Sequence, residues 1–131
     1  MSDLCQANAQ TPTPNQPAVT SAKKPDQPKT LDQFLDRLMV AESGGRLDAK
    51  NPRSSALGPF QFIRSTWLAV MEGHFPDLAA KTSPAELLKL RTDPVVSRKA
   101  ARAYTTDLAA ALKRADLKDS FVNLRLAYLL G

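Results

Sequence analysis

Thiol and imidazole groups are nearly missing from this 131-residue chain, which holds one cysteine, Cys5, and one histidine, His74. A lone cysteine excludes an internal disulfide and a cysteine cluster for metal. A zinc site draws on several His or Cys ligands, so no metal and no other cofactor is expected. A serine or cysteine nucleophile would find only His74 as a histidine base. Long apolar runs are missing too. No stretch approaches the roughly 18–20 residues of a membrane span, so none is expected. The N-terminus lacks the charged start and apolar stretch of about 7–15 residues that mark a secretory signal. With these chemistries removed, carboxylates are the groups left to do catalysis.

What is present supports one soluble domain with a tail. Hydrophobic residues make up 43% of the chain, enough for an ordinary core. The 18 basic and 13 acidic side chains give a net charge of +5. A moderately basic surface favours polyanions in general and selects none. The positives are spread and no recognition motif appears, so nucleic acid is not an expected partner. Residues 1–29 hold five of the ten prolines, with almost no large apolar side chain. Such a segment cannot bury enough surface to offset its ordering entropy, and it reads as a disordered tether.

The folded part, residues 30–131, opens at Thr30, a helix cap. Leu31, Phe34, Leu35, Leu38 and Met39 recur at helical spacing, with Asp32, Asp36 and Arg37 mostly opposite. Glu42 continues the apolar stripe, and Gly44-Gly45 stops the helix. Residues 46–63 are rich in turn formers and predict a short irregular hairpin or extended pieces. Ser65 is expected to cap a helix reaching about Gly73. Ser83-Pro84-Ala85-Glu86 is a capping box that predicts a helix over 84–90. Asp93-Pro94 opens a longer helix to about Ala115, with Val95, Ala103, Tyr104, Leu108 and Leu112 turned inward. A last helix runs from about Ser120 through Phe121, Leu124, Ala127 and Tyr128. The expected class is all-α, with a small loop-and-strand lobe after the first helix.

Glu42 is the main chemical candidate. On an apolar face desolvation favours the protonated acid, and the negative end of the helix dipole acts the same way. A protonated carboxyl facing a polar loop can donate to a leaving oxygen. The alternative is an ordinary glutamate, solvated past the last turn.

The residues around Glu42 carry a resemblance. Glu42-Ser43-Gly44-Gly45, Asn51-Pro52, Gly58-x-x-Gln61-Phe62 and Thr66-Trp67 resemble the catalytic motif of soluble lytic transglycosylases, a family sharing the lysozyme-like fold with goose-type lysozymes. The resemblance spans about residues 31–131. It implies cleavage of the β-1,4 bond between N-acetylmuramic acid and N-acetylglucosamine in peptidoglycan. Glu42 would act alone as acid and then base, leaving a 1,6-anhydromuramyl end. Gln61 and Asn51 match positions lining the family's cleft. Phe60 and Phe62 could offer a flat apolar surface to sugar faces, although core packing explains Phe62 better. Trp67 reads as core, and Ser43 as support for the helix end. Asp48 is the nearest second carboxylate and reads as a solvated turn residue.

A second block, Ala127-Tyr128-Leu129-Leu130-Gly131, is similar to the family's Ala-Tyr-Asn-Ala-Gly. It places Tyr128 near the catalytic acid, able to orient it, and puts Leu129 where the family has Asn. Relatives continue past this block, so a C-terminally truncated domain is expected. The implied partners are peptidoglycan glycan strands, with a cell-envelope or secretion-machinery component as a further candidate, and the domain is expected to be a monomer. The implied location is the periplasm or cell envelope. Two alternatives remain at this stage: a muramidase hydrolysing the same bond, and a degenerate module that binds cell wall without cutting it. Arg98, Lys99, Arg102, Lys113 and Arg114 give the long helix a basic character, read first as a solvated face. His74 is assigned no role.

Overall fold

The computed structural model describes residues 27–130. Most of the expected tether, residues 1–26, and Gly131 lie outside the described residues. The chain is built of helices α1 (Leu31–Ser43), α2 (Arg64–His74), α3 (Pro76–Lys81), α4 (Pro84–Lys89), α5 (Pro94–Arg114) and α6 (Phe121–Leu130). A 3-10 turn, Leu90–Thr92, joins α4 to α5. The all-α class holds.

Local capping chemistry sets most helix starts. Thr30 accepts a hydrogen bond from Gln33 N at 3.1 Å, and Ser83 accepts from Glu86 N at 3.2 Å. Asp93 accepts from Val95 N and Val96 N, both at 2.9 Å, with Pro94 in the first turn. At the far end of α1, Gly44 takes a left-handed φ of 65° and its N–H returns to Val40 O. The Ser43 hydroxyl donates to Met39 O and accepts from Gly45 N, which ties off the same helix end.

Three expectations need correction. Ser65 does not cap α2, which starts two residues earlier than that, with Ile63 at the cap and no side-chain cap bond from it. Ser55 instead accepts from Arg64 N at 2.9 Å, so the preceding lobe satisfies an N–H at this helix start. Helix α3 was not anticipated, because six residues are too few to display a helical period. Val95 is 61% exposed: in the first turn of α5 it is Val96 that packs against the core.

Residues 46–63 form the small lobe. Isolated antiparallel bridges pair Leu57 with both Lys50 and Phe62. The lobe is anchored from outside by Arg91, whose side chain is buried. Its Nη1 donates to Ser55 O at 2.6 Å and to Phe62 O at 3.1 Å, while Nε donates to Leu88 O at 2.9 Å. Burial, and then the charge of Arg64, lower the Arg91 pKa from the ordinary arginine value. The compensation lies in those carbonyl contacts, since a buried charge is tolerated only when hydrogen-bonded.

Trp67, Phe60, Leu35, Leu38 and Met71 are fully buried and form the centre of the core. Burial of each such side chain contributes roughly 1.5–3 kcal/mol. The Trp67 ring also donates from Nε1 to Leu87 O at 2.7 Å, binding α2 to α4. Part of the basic character of α5 is spent on α1. Arg98 pairs with Asp36 at 2.9 Å, and Arg102 pairs with Asp32. These exposed pairs contribute at most about 1 kcal/mol each, and they set helix register more than stability.

Candidate active site

The end of α1, the lobe, α5 and α6 enclose a cleft of about 350 Å3. Glu42, Asn51, Gln61, Thr66, Tyr104 and Tyr128 are among the residues lining it. Sequence reasoning therefore named four side chains that the fold brings together: Glu42, Asn51, Gln61 and Tyr128. The fifth, Phe60, is a correction. Its ring is 1% exposed and lies in the core, so it presents no face to a ligand. Phe62 is also buried but reaches the cleft wall as it packs against Trp67 and Tyr104.

Glu42 comes from the last turn of α1. Its side chain is 16% exposed, and Oε2 accepts from Arg125 Nη1 at 2.9 Å. The sequence reading placed a lone acid on an apolar face. The structure places an ion pair there, made through one of the two carboxylate oxygens.

Arg125 was missed. It lies three residues before Tyr128 on α6, one turn away on the same face. That spacing was the available signal, because Tyr128 had already been assigned to the site.

Tyr128 departs from the expected contact. Its hydroxyl donates to Phe60 O at 2.6 Å, which ties α6 to the lobe. Burial raises the Tyr128 pKa well above the ordinary tyrosine range, with further contributions from the Glu42 and Tyr104 charges and opposition from Arg125. Tyr104 packs edge-on against Tyr128 with ring centroids 5.5 Å apart, and its own pKa is raised by burial and then by Asp107.

The two amides of the cleft are partly committed. Gln61 Nε2 donates to both Ala49 O and Gly58 O at 2.9 Å, which leaves its carbonyl oxygen for a ligand. The opposite holds for Asn51, whose Oδ1 accepts from Arg53 N at 2.9 Å and whose NH2 group stays open to a partner. The cleft thus holds one amide donor and one amide acceptor.

Among the described residues lining the cleft, Glu42 is the only carboxylate. Asp48 is exposed and is not part of the lining. His74, assigned no role from the sequence, pairs through Nε2 with Asp107 Oδ2 at 2.7 Å beside a separate groove between α2 and α5. No group of three or more His, Cys, Asp or Glu side chains is placed to hold a metal among the described residues. No described helix is long and apolar enough to cross a membrane.

Segments of the chain are similar to curated bacterial proteins. It is 37% identical over 54 residues to "Probable transglycosylase SceD 2" of Staphylococcus saprophyticus, covering 41% of this chain and 22% of that protein. It is 30% identical over 76 residues to "Probable transglycosylase SceD" of Staphylococcus epidermidis, covering 58% of this chain and 31% of that protein. The protein of that name in Staphylococcus aureus is 33% identical over 54 residues, covering 41% of this chain and 23% of that protein. The chain therefore spans less than a third of the length of these relatives. No family model and no solved structure matches it.

Proposed function

We propose that residues 30–131 form a peptidoglycan lytic transglycosylase domain, with Glu42 as a single acid and base acting in the cell envelope. The observation that carries this reading is a cleft holding one carboxylate. A hydrolase that uses two carboxyl groups places them about 5–9.5 Å apart, and the described residues lining the cleft offer no second carboxylate beside Glu42. The partial similarity to proteins named as probable transglycosylases supports the same reaction class.

In this mechanism Glu42 protonates the oxygen of the β-1,4 bond between N-acetylmuramic acid and N-acetylglucosamine as the C1–O bond breaks. The resulting carboxylate takes the proton from the C6 hydroxyl of the muramic acid. The C6 oxygen then closes on C1, giving a 1,6-anhydro ring without water. Acetamido groups of the sugars carry one N–H and one C=O each. The Gln61 carbonyl and the Asn51 NH2 are complementary to that pair. Tyr128 holds the α6 wall against the lobe through Phe60 O and so positions Arg125 against Glu42.

The test is mass spectrometry of peptidoglycan digested by wild type and Glu42→Gln. Anhydromuramyl ends from wild type are expected, with at least about a 100-fold loss in the variant, the scale of a positioned general acid. Reducing muramic acid ends would replace this reading with a muramidase. Binding of sacculi without any cleavage would replace it with a wall-binding module. The melting temperature of Glu42→Gln should stay within about 5 °C of wild type, because the partly exposed Arg125 can rehydrate.

A further inference from the structure

A second groove, of about 340 Å3, lies between α1 and α6. Its floor is the stacked pair Phe34 and Phe121, with ring centroids 5.3 Å apart. Val122 and Leu126 line it while 54% and 52% exposed, so the described residues leave this apolar surface open. Arg37 and Arg125 also line it, but both already have partners, and charge adds little to what the groove can bind. Gln27 and Pro28, the first described residues, line the same groove. The Lys29 N–H donates to Gln33 Oε1 at 2.7 Å, which fixes the chain where it turns from the groove into α1. The 26 residues that precede Gln27 therefore start from within the groove.

The sequence leading into the groove has a period. Val19, Ala22, Pro25 and Pro28 recur at every third position, and the residues between them, Thr20, Ser21, Lys23, Lys24, Asp26 and Gln27, are all polar. Three residues per turn is the period of the polyproline II helix, which rises about 3.1 Å per residue and has no internal hydrogen bonds. In that conformation the four apolar residues share one edge and the charged ones point elsewhere. Grooves lined by aromatic rings are a recurrent receptor for such edges. The lengths agree as well. From Pro28 to Ala22 a polyproline II segment covers about 19 Å, and α1, with 13 residues, is about 20 Å long. We propose that residues 19–26 of this chain dock in the α1–α6 groove as a polyproline II strap, Pro25 lying over the Phe34–Phe121 pair and Ala22 and Val19 following toward Leu126. Attachment at Pro28 sets an effective concentration on the order of millimolar, so shallow contacts suffice to fill the groove. Proline also has less chain freedom to lose on docking. The strap covers α6, which carries Arg125 and Tyr128 to the cleft, and so steadies that wall. It does so whatever the chemistry of the cleft.

The test compares amide NMR spectra and thermal melts of the full chain with those of a chain lacking residues 2–26. Removing the strap should shift the resonances of residues 34–41 and 121–126 and lower the melting temperature by at least about 4 °C. Two point variants of the full chain then read the period itself. Ala22→Asp puts a charge on the apolar edge and should reproduce the spectrum of the shortened chain in those two segments. Ser21→Asp puts the same charge one residue away, off that edge, and should leave both segments as they are in wild type. Neither substitution touches a residue of α1–α6, so loss of the domain fold does not confuse the comparison. Equal effects of the two variants, or no shifts in these segments on truncation, would overturn the proposal. So would concentration-dependent shifts accompanied by a dimer in sedimentation, which would assign the groove to a second copy of the chain.

Discussion

Replacing Gly58 with alanine should damage this fold far more than the same change at Gly44, and the structure says by how much. Both glycines have positive φ, 93° at Gly58 and 65° at Gly44. An L-residue in left-handed backbone costs roughly 1–2 kcal/mol, which applies to both variants. At Gly44 an added Cβ meets no atom within 4 Å. At Gly58 it would lie 2.0 Å from the Arg91 carbonyl oxygen and 2.8 Å from the carbonyl carbon. An ordinary C···O contact needs about 3.3 Å, so the backbones must separate by about 1.3 Å. Overpacking of this kind typically adds about 1–3 kcal/mol. The displaced residue also anchors the lobe through Ser55 O and Phe62 O, so its hydrogen bonds lengthen with it. The total is about 2–5 kcal/mol for Gly58→Ala against about 1–2 kcal/mol for Gly44→Ala. For a domain of about 100 residues each kcal/mol moves the melting temperature by roughly 4–8 °C, so the two variants should differ by at least about 4 °C. Trp67 is the only tryptophan and is fully buried, which makes its fluorescence a clean readout of the melt. Melting temperatures within about 2 °C of each other would refute the argument from the Arg91 carbonyl.

Three further outcomes follow from buried polar groups. Arg91→Met should cost about 2–4 kcal/mol in urea unfolding, since the carbonyls of Ser55, Phe62 and Leu88 lose their donor while a buried charge is also removed. Ser97→Ala should raise stability by about 1 kcal/mol in the same assay, because the Ser97 hydroxyl is buried without a hydrogen-bond partner among the described residues. Stability should fall as pH rises above about 10, the ordinary tyrosine value: with the folded Tyr128 pKa raised, the unfolded chain loses its proton first and gains from the change. Melts across that range should show the decline, and Tyr128→Phe should flatten it.

The parts of the fold legible in the sequence are those whose causes are local. Thr30, Ser83 and Asp93 each cap a helix within three residues of themselves, so α1, α4 and α5 could be read directly. The start of α2 could not, because Ser55 reaches it from nine residues away across the lobe. The assignment of Phe60 failed for a related reason. Gln61 adopts a left-handed φ of 54°, which breaks the simple alternation of faces between Phe60 and Phe62. The cleft residues contributed by α1 and the lobe were visible as a spaced motif. The partner of Glu42 was not, since that contact depends on where α6 packs after the whole domain has folded.

The ion pair between Glu42 and Arg125 joins residues 83 positions apart. A chain emerging from the ribosome from its N-terminus exposes Glu42 long before the ten residues of α6 exist. Closing so wide a loop is entropically slow, and contacts of this range are among the last to form. The carboxylate therefore acquires its counter-charge only at the end of folding. A partly synthesised domain can bury Trp67 and close the lobe while the cleft is still unassembled.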